Sequence, residues 1–461
     1  MIKQRLLFKL YMTLWLPITV GCTDFVEMEL PPSQLTGEAV FNDPATATAA
    51  LANIYASLRD RTLITGGSRG IGNILAHYAD ELDYYGSETA SLHDFTVHSV
   101  LATNSEVATL WNDSYNLIYA CNSILEGLDE RMSLPGGHRA QIKGEALFLR
   151  GFIHFYLSQL FGDIPYVTRT DHMVNATIGK LGASGIHEHL VRDLEESMEL
   201  LPIEYVAADR VRANRFVAMA LLARIQLYFG YWEDALSATD VVLGATGQYV
   251  WEEDLGNVFL KGSKGILWQL SPGTPGNNTL EALTFMFEQG PPTMGALSQS
   301  LMDGFAINDQ RAVQWTKSVT DGTDIWYHPY KYRARGPSGS SVEHSVVLRL
   351  GELYLIRAEA RMQLGDLEGA MADLNKIRGR AGLPDLAGLN GEELETALLR
   401  ERRYELFTEF GHRWFDLKRF QKAGEVLGPL KPNWQESHLL FPIPQSELLA
   451  NPDLRPQNDG Y

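Results

Sequence analysis

Three textures of apolar and polar positions divide the chain. The first is a short apolar run from Leu10 to Val20, preceded by Lys3, Arg5 and Lys9. It is too short to span a bilayer and has the basic start and apolar middle of an export signal over residues 1–21. The second is helical, with apolar positions recurring at three- and four-residue steps. Its clearest instance is a pair of segments that align without gaps 135 residues apart, Ala223–Leu236 (ARIQLYFGYWEDAL) and Ala358–Met371 (AEARMQLGDLEGAM). Gly230 matches Gly365 and Ala235 matches Ala370. Small residues let two helices approach, the glycine ends the first helix in a left-handed turn, and the alanine packs into the corner of the second. This is the logic of tetratricopeptide repeats.

A third copy runs from Lys143 to Phe161, with Gly162 as its stop, and a looser one from Trp111 to Leu128. Phe41 to Leu58 opens the set, where Asp43 and Pro44 supply a cap and a first-turn proline. Because the copies are not contiguous, the pattern predicts one scaffold with large insertions rather than a long regular array. The third texture fills 244–345, which is rich in Gly, Pro, Asn and aromatics and has strand-like runs at Ile266–Leu270 and Ile325–Tyr327. The expected organisation is a signal peptide (1–21), a tether (22–40), a helical part (41–243), a loop-rich lobe (244–345) and a second helical part with an irregular tail (346–461). Pro442, Pro444, Pro452 and Pro456 interrupt that tail.

Composition narrows the function. With 45% hydrophobic residues in 461, the chain can bury a large core. The net charge of −18 becomes −21 once residues 1–21, with three basic and no acidic side chains, are removed. Such a surface does not suit a phosphate backbone, which excludes nucleic acid as the expected partner and favours a neutral or cationic ligand. Cys22 follows Gly21 at the end of the apolar run, as in a bacterial lipobox, where the thiol is acylated; Cys121 is then the sole free thiol. Acyl chains contribute about 0.8 kcal/mol per buried methylene, enough in combination to hold a protein on a bilayer. Asp24, Glu27 and Glu29 follow the cysteine closely.

Three constellations invite catalytic readings. Thr65–Gly72 (TGGSRGIG) has the glycine spacing of a dinucleotide loop, yet Arg59, Asp60 and Arg61 interrupt the strand that must precede it, and no acidic residue ends a second strand downstream. The charged run from Arg400 to Asp416 contains paired carboxylates, but interleaved arginines keep them ionised, which opposes acid catalysis. His187 and His189 are two apart, so a helix points their rings away from each other and no metal site is expected. No catalytic residue, metal or cofactor is assigned.

Several segments resemble the SusD/RagB family of outer-membrane nutrient-binding lipoproteins: Trp111–Asn122, Asp309–Trp315, Leu348–Gly382, Glu401–Phe420, and the ending in which Gln457, Asn458, Gly460 and Tyr461 close the chain. The resemblance covers nearly the whole length. It implies a mainly α fold of four tetratricopeptide-like hairpins forming a scaffold, with a loop-rich lobe of short strands. It implies a non-enzymatic surface lipoprotein, anchored at Cys22 to the outer membrane and facing the exterior. Such a protein captures an oligosaccharide and hands it to a SusC-like TonB-dependent transporter. A peptide-binding importer component and a surface adhesin are the alternatives. Family members place an aromatic platform between the first two hairpin helices and in the insertion, regions that here contain Asp83, Tyr84, Tyr85 and His93, then Phe285, Phe287, Trp326, Tyr327 and Tyr330. Asp83, Tyr84, Tyr85, His93, Trp326 and Tyr327 are the expected ligand contacts.

Overall fold

The computed structural model describes residues 43–129 and 135–461; Cys22 and the export signal lie outside them. The chain starts with α1 (Pro44–Asp60), where Pro44 sits in the first turn and the Asp43 carboxylate accepts from the Thr46 N–H at 3.2 Å. A short α2 (Ile71–Tyr78) and a strand β1 (Leu82–Tyr84) follow before the long α3 (Ser105–Asp129) and α4 (Gly136–Phe161). The helical series continues with α5 (Ala183–Leu200), α6 (Arg215–Phe229) and α7 (Trp232–Gly244). After the insertion come α8 (Leu350–Gln363), α9 (Leu367–Arg380), α10 (Gly391–Leu406) and α11 (His412–Arg419).

From α3 to α10 each of these helices packs on the next, and α1 packs on α3 and α4. The stack runs straight from α7 to α8, so the 105 residues between them leave the helical path and return to it. The turn glycines behave as their positions predict. Gly230 ends α6 in a left-handed conformation at φ +81, and the Tyr231 N–H bonds the Gln226 carbonyl at 2.9 Å. Gly365 adopts φ +86 between α8 and α9, and Asp366 caps α9 through the Gly369 N–H at 2.9 Å. The matched small residues Ala223, Ala235, Ala358 and Ala370 are all buried. Four helix pairs along the chain, α1/α3, α4/α5, α6/α7 and α8/α9, thus form the predicted mainly α scaffold.

The insertion carries five strands. β2 (Ile266–Leu270) pairs antiparallel with β6 (Ser345–Arg349), which closes the lobe at its base. β3 (Gly295–Leu297) pairs with β1, and β4 (Thr316–Thr320) pairs with β5 (Ile325–Pro329). A second apolar cluster, with Trp315, Phe259 and Phe285, fills the lobe and is separate from the helical core around Phe148, Phe152 and Trp268. Trp111, Trp268, Trp315 and Trp414 are buried. Among the described residues, no helix is long and apolar enough to cross a membrane.

The candidate ligand-binding surface

The segment after α2 is held in place by charge. Asp80 receives Arg403 and Arg413, each at 2.7 Å, from α10 and the start of α11. Beside it Glu81 is buried, its Oε2 accepting from the Thr408 N–H at 3.2 Å; burial and the neighbouring Asp80 push its carboxyl up to about 8. Ser298 completes the clamp, donating its hydroxyl to the Asp80 carbonyl at 2.7 Å and its N–H to the Glu81 carbonyl at 2.9 Å. Three elements far apart in sequence therefore fix where β1 begins.

Asp83 and Tyr84 lie on β1, opposite Ala296 and Gly295, and the Tyr85 N–H extends the pairing to the Met294 carbonyl at 2.8 Å. They form a strand edge where a polar loop was expected. Tyr84 is half-buried: its hydroxyl donates to the Ser87 carbonyl at 3.0 Å, and its ring meets His77 at 5.4 Å and His93 at 5.7 Å. Glycine is required opposite it, because a Cβ on Gly295 would stand 2.7 Å from His77 Cε1. Tyr85 points away from this packing and is 41% exposed. His93, on the short helix Ser91–Thr96, supports Tyr84 from the side.

Trp326 and Tyr327 sit on β5 opposite Val319 and Ser318. Successive strand residues face opposite sides, which separates the two. Trp326 covers Gly290, where a Cβ would fall 2.1 Å from the ring, and its side chain lies beside the Tyr85 hydroxyl, whose pKa it lowers. Tyr327 instead packs against the lobe's apolar cluster. The Tyr85 hydroxyl is raised above its ordinary pKa by partial burial, then by the carboxylates of Asp83 and Asp324. The structure thus joins the two predicted groups at one contact, Tyr85 with Trp326, with Asp83 and Asp324 close by. Asp324 was not among the expected contacts, and Ile325, 58% exposed, shares the strand face of Tyr327.

The remaining aromatics divide. Phe285 is buried, Phe287 is half-buried against His328 at 5.1 Å, and Tyr330 lies between Lys317 and Arg333 at 5.1 and 5.4 Å. The glycines of the Thr65–Gly72 segment serve close packing and not a phosphate. A Cβ on Gly66 would meet Glu281 at 2.0 Å, and one on Gly70 would meet the Thr65 carbonyl at 1.7 Å. The segment is preceded by turns and by no strand. His187 stacks on Tyr231 at 4.0 Å and His189 on Tyr166 at 4.7 Å, so the two rings belong to different contacts. Cys121 is buried, and burial pushes its thiol up to about 12.

The carboxylates of α10 and α11 are paired, though mostly not by the arginines interleaved with them. Glu401 meets Arg378 at 2.6 Å and Arg311 at 2.9 Å; Glu405 meets Arg349 and Arg380, both at 2.5 Å. Glu409 meets Arg349 at 2.9 Å and Lys331 at 2.5 Å, and Asp416 meets Arg402 at 2.7 Å. Burial alone would raise the Glu405 carboxyl, but Arg380, Arg349 and Arg311 outweigh it and hold the group well below the carboxylate range. Glu405 and Glu409, both held below the ordinary carboxylate range by their cations, are not poised to donate a proton at neutral pH.

A helix-pair scaffold that presents an aromatic edge from its insertion defines a class of binding protein. Comparison with known proteins agrees and is more specific. A family model described as "starch-binding associating with outer membrane" matches residues 34–227, and a model of the SusD family matches residues 310–461. The chain belongs to the SusD/RagB family. SusD-like protein P2 of Formosa agariphila is 26% identical, the match covering 98% of this chain and 99% of that protein. A SusD-like protein of Bacteroides fragilis superposes with a TM-score of 0.80 at 20% identity, over 94% of this chain and 100% of that one. Surface glycan-binding protein A of Bacteroides thetaiotaomicron superposes at 0.75 and 20% identity, over 91% and 100%. At these identities the structural matches establish the fold.

Proposed function

We propose that this chain is a surface glycan-binding lipoprotein that captures oligosaccharide and passes it to a TonB-dependent outer-membrane transporter. The observation that carries the reading is the Tyr85–Trp326 pair, two aromatics from distant segments meeting at an exposed edge flanked by Asp83 and Asp324. Aromatic faces stack on the apolar faces of sugar rings, and adjacent carboxylates accept from hydroxyls. The glycan-binding neighbour and the outer-membrane description of the family model support it. Residues 1–21 act as the export signal, Cys22 carries the lipid anchor, and 22–40 tether the body on the outer face. The lobe at 244–345 contributes Trp326, and the parts at 41–243 and 346–461 carry the scaffold. The protein supplies affinity and no chemistry, in keeping with the paired state of its α10 and α11 carboxylates.

Titration of the purified protein with a panel of neutral oligosaccharides tests the reading. At least one binds, and Tyr85→Ala with Trp326→Ala weakens it by about thirtyfold or more, the loss of one buried aromatic anchor. Unchanged affinity in that variant removes the surface from consideration. Pull-down from detergent-solubilised outer membrane recovers a large barrel protein if the transport role holds. A second reading, capture of basic peptides, draws on Asp83 and Asp324; binding of cationic peptides in preference to every oligosaccharide decides for it.

A further inference from the structure

Away from the aromatic edge, the last turns of α1 face the segment Leu270–Glu281 across two adjoining clefts of about 390 and 310 Å³, which share Arg59, Leu270, Pro272 and Gly273. The walls are built and not merely apposed. Arg59 donates to the Ser271 carbonyl at 3.1 Å and lies so close to Gly273 that a Cβ there would stand 2.8 Å from the guanidinium. Asn278 uses all its polar capacity to tie the far wall to the loop beyond it, donating to the Gly336 carbonyl and Ser338 Oγ and accepting from the Val342 and Glu343 N–H groups at 2.9–3.1 Å. Preformed concave sites of this size with a few converging polar groups are where small ligands bind.

The charges inside cancel. Arg59 pairs with Asp60 at 2.5 Å, and Arg212 pairs with Glu145 at 2.6 Å. The remaining acid is Glu281, 7% exposed, whose Oε1 accepts from the Ser345 hydroxyl while Oε2 has no partner. Burial pushes this carboxyl up to about 7, so it is about half protonated at neutral pH. That oxygen is shielded from solvent and lies against the Gly66 backbone, so a ligand reaches it only when this glycine shifts. A buried polar atom left unpaired costs roughly 1–3 kcal/mol, which a ligand donor recovers. At the rim, Asn277 and Thr274 are exposed.

We propose that this cleft is a second ligand site, taking an uncharged, hydroxyl-rich chain such as a linear oligosaccharide, with a hydroxyl donating to the unpaired oxygen of Glu281 as Gly66 shifts. An oligouronate would find no uncompensated cation there. The floor from Thr48 to Arg59 spans 12 residues of α1, about 17 Å at helical rise, which suits a chain better than a single ring. The site does not depend on the aromatic surface.

Hydrogen–deuterium exchange of residues 270–281 in the full chain tests it, with cello-, laminari- and malto-hexaose as neutral probes and trilysine and an oligoalginate as charged ones. At least one neutral hexaose protects the segment, and it does so equally in the Tyr85→Ala/Trp326→Ala variant. Thr274→Ala/Asn277→Ala raises the half-saturating concentration about tenfold, and Glu281→Gln, which keeps the side chain's shape, raises it several-fold. The proposal is overturned if no neutral probe protects the segment, if a charged probe protects it better, or if protection disappears with the aromatic pair. Loss of binding in the aromatic variant with 270–281 still protected keeps the two readings separate.

Discussion

The charge network on α10 and α11 and the aromatic edge on β1 and β5 are both made by residues brought together from distant parts of the chain, but they are built to opposite ends. In the network every acid is buried against cations, and Glu405 alone is shared among Arg311, Arg349 and Arg380. Removing one partner strands a charge in a low-dielectric interior, so the network has little freedom to change. At the edge, Tyr85 lies beside Trp326 and leaves much of its ring to solvent. Stability is concentrated in the first and the proposed recognition surface lies in the second, so the two can be perturbed independently.

The largest effect is expected from Glu405→Ala, which strips Arg380 of its carboxylate partner and leaves Arg349 with Glu409 alone. It lowers unfolding free energy by about 3–5 kcal/mol in urea titration. A loss under 1 kcal/mol would mean that the network is not the clamp described. Next, Trp326→Ala weakens the bound oligosaccharide by about 2 kcal/mol with a melting temperature within a few degrees of the parent. Tyr327→Ala does the reverse, costing about 2 kcal/mol of stability with affinity nearly unchanged, because strand alternation turns it into the lobe. Equal affinity losses in the two variants would break the assignment of faces.

The smallest effect is a pH slope. The folded-state carboxyl of Glu81, near 8, lies above its unfolded value, so between about pH 4.5 and 8 the folded state binds more protons than the unfolded. Its contribution is fully present below pH 4.5 and is lost as pH rises through 8, at no more than about 1.4 kcal/mol per unit. Glu81→Gln flattens that slope in denaturation curves taken at pH 5, 6.5 and 8. A slope unchanged by the substitution assigns the dependence elsewhere.

The helix pairs were legible because their signals are local. A small residue at Ala223 or Ala358 and a glycine at Gly230 or Gly365 act within one turn of where they stand. The contact of Tyr85 with Trp326 was not legible, because it depends on a three-residue strand pairing across more than 200 positions and on Gly290 lying under the indole. The opposite facing of Trp326 and Tyr327 was legible in principle, since Ile325–Tyr327 reads as a strand and strands alternate. For the charged run, ionisation followed from composition alone. Most of its partners, however, come from other elements, which periodicity along one helix cannot reveal.

The β2–β6 ladder gives the insertion a property beyond closure. Its entry and exit are hydrogen-bonded to each other, so the helical frame meets the same two adjacent strands whatever lies between them. Lengthening a loop whose ends are already held costs only about 0.6 kcal/mol per doubling. The stretches of the segment away from Ser298, Arg311 and Lys331, which tie it to Asp80 and to the acids of and after α10, are therefore exchangeable. Sequences could be traded there, and ligand preference changed with them, while α7 and α8 keep their contact.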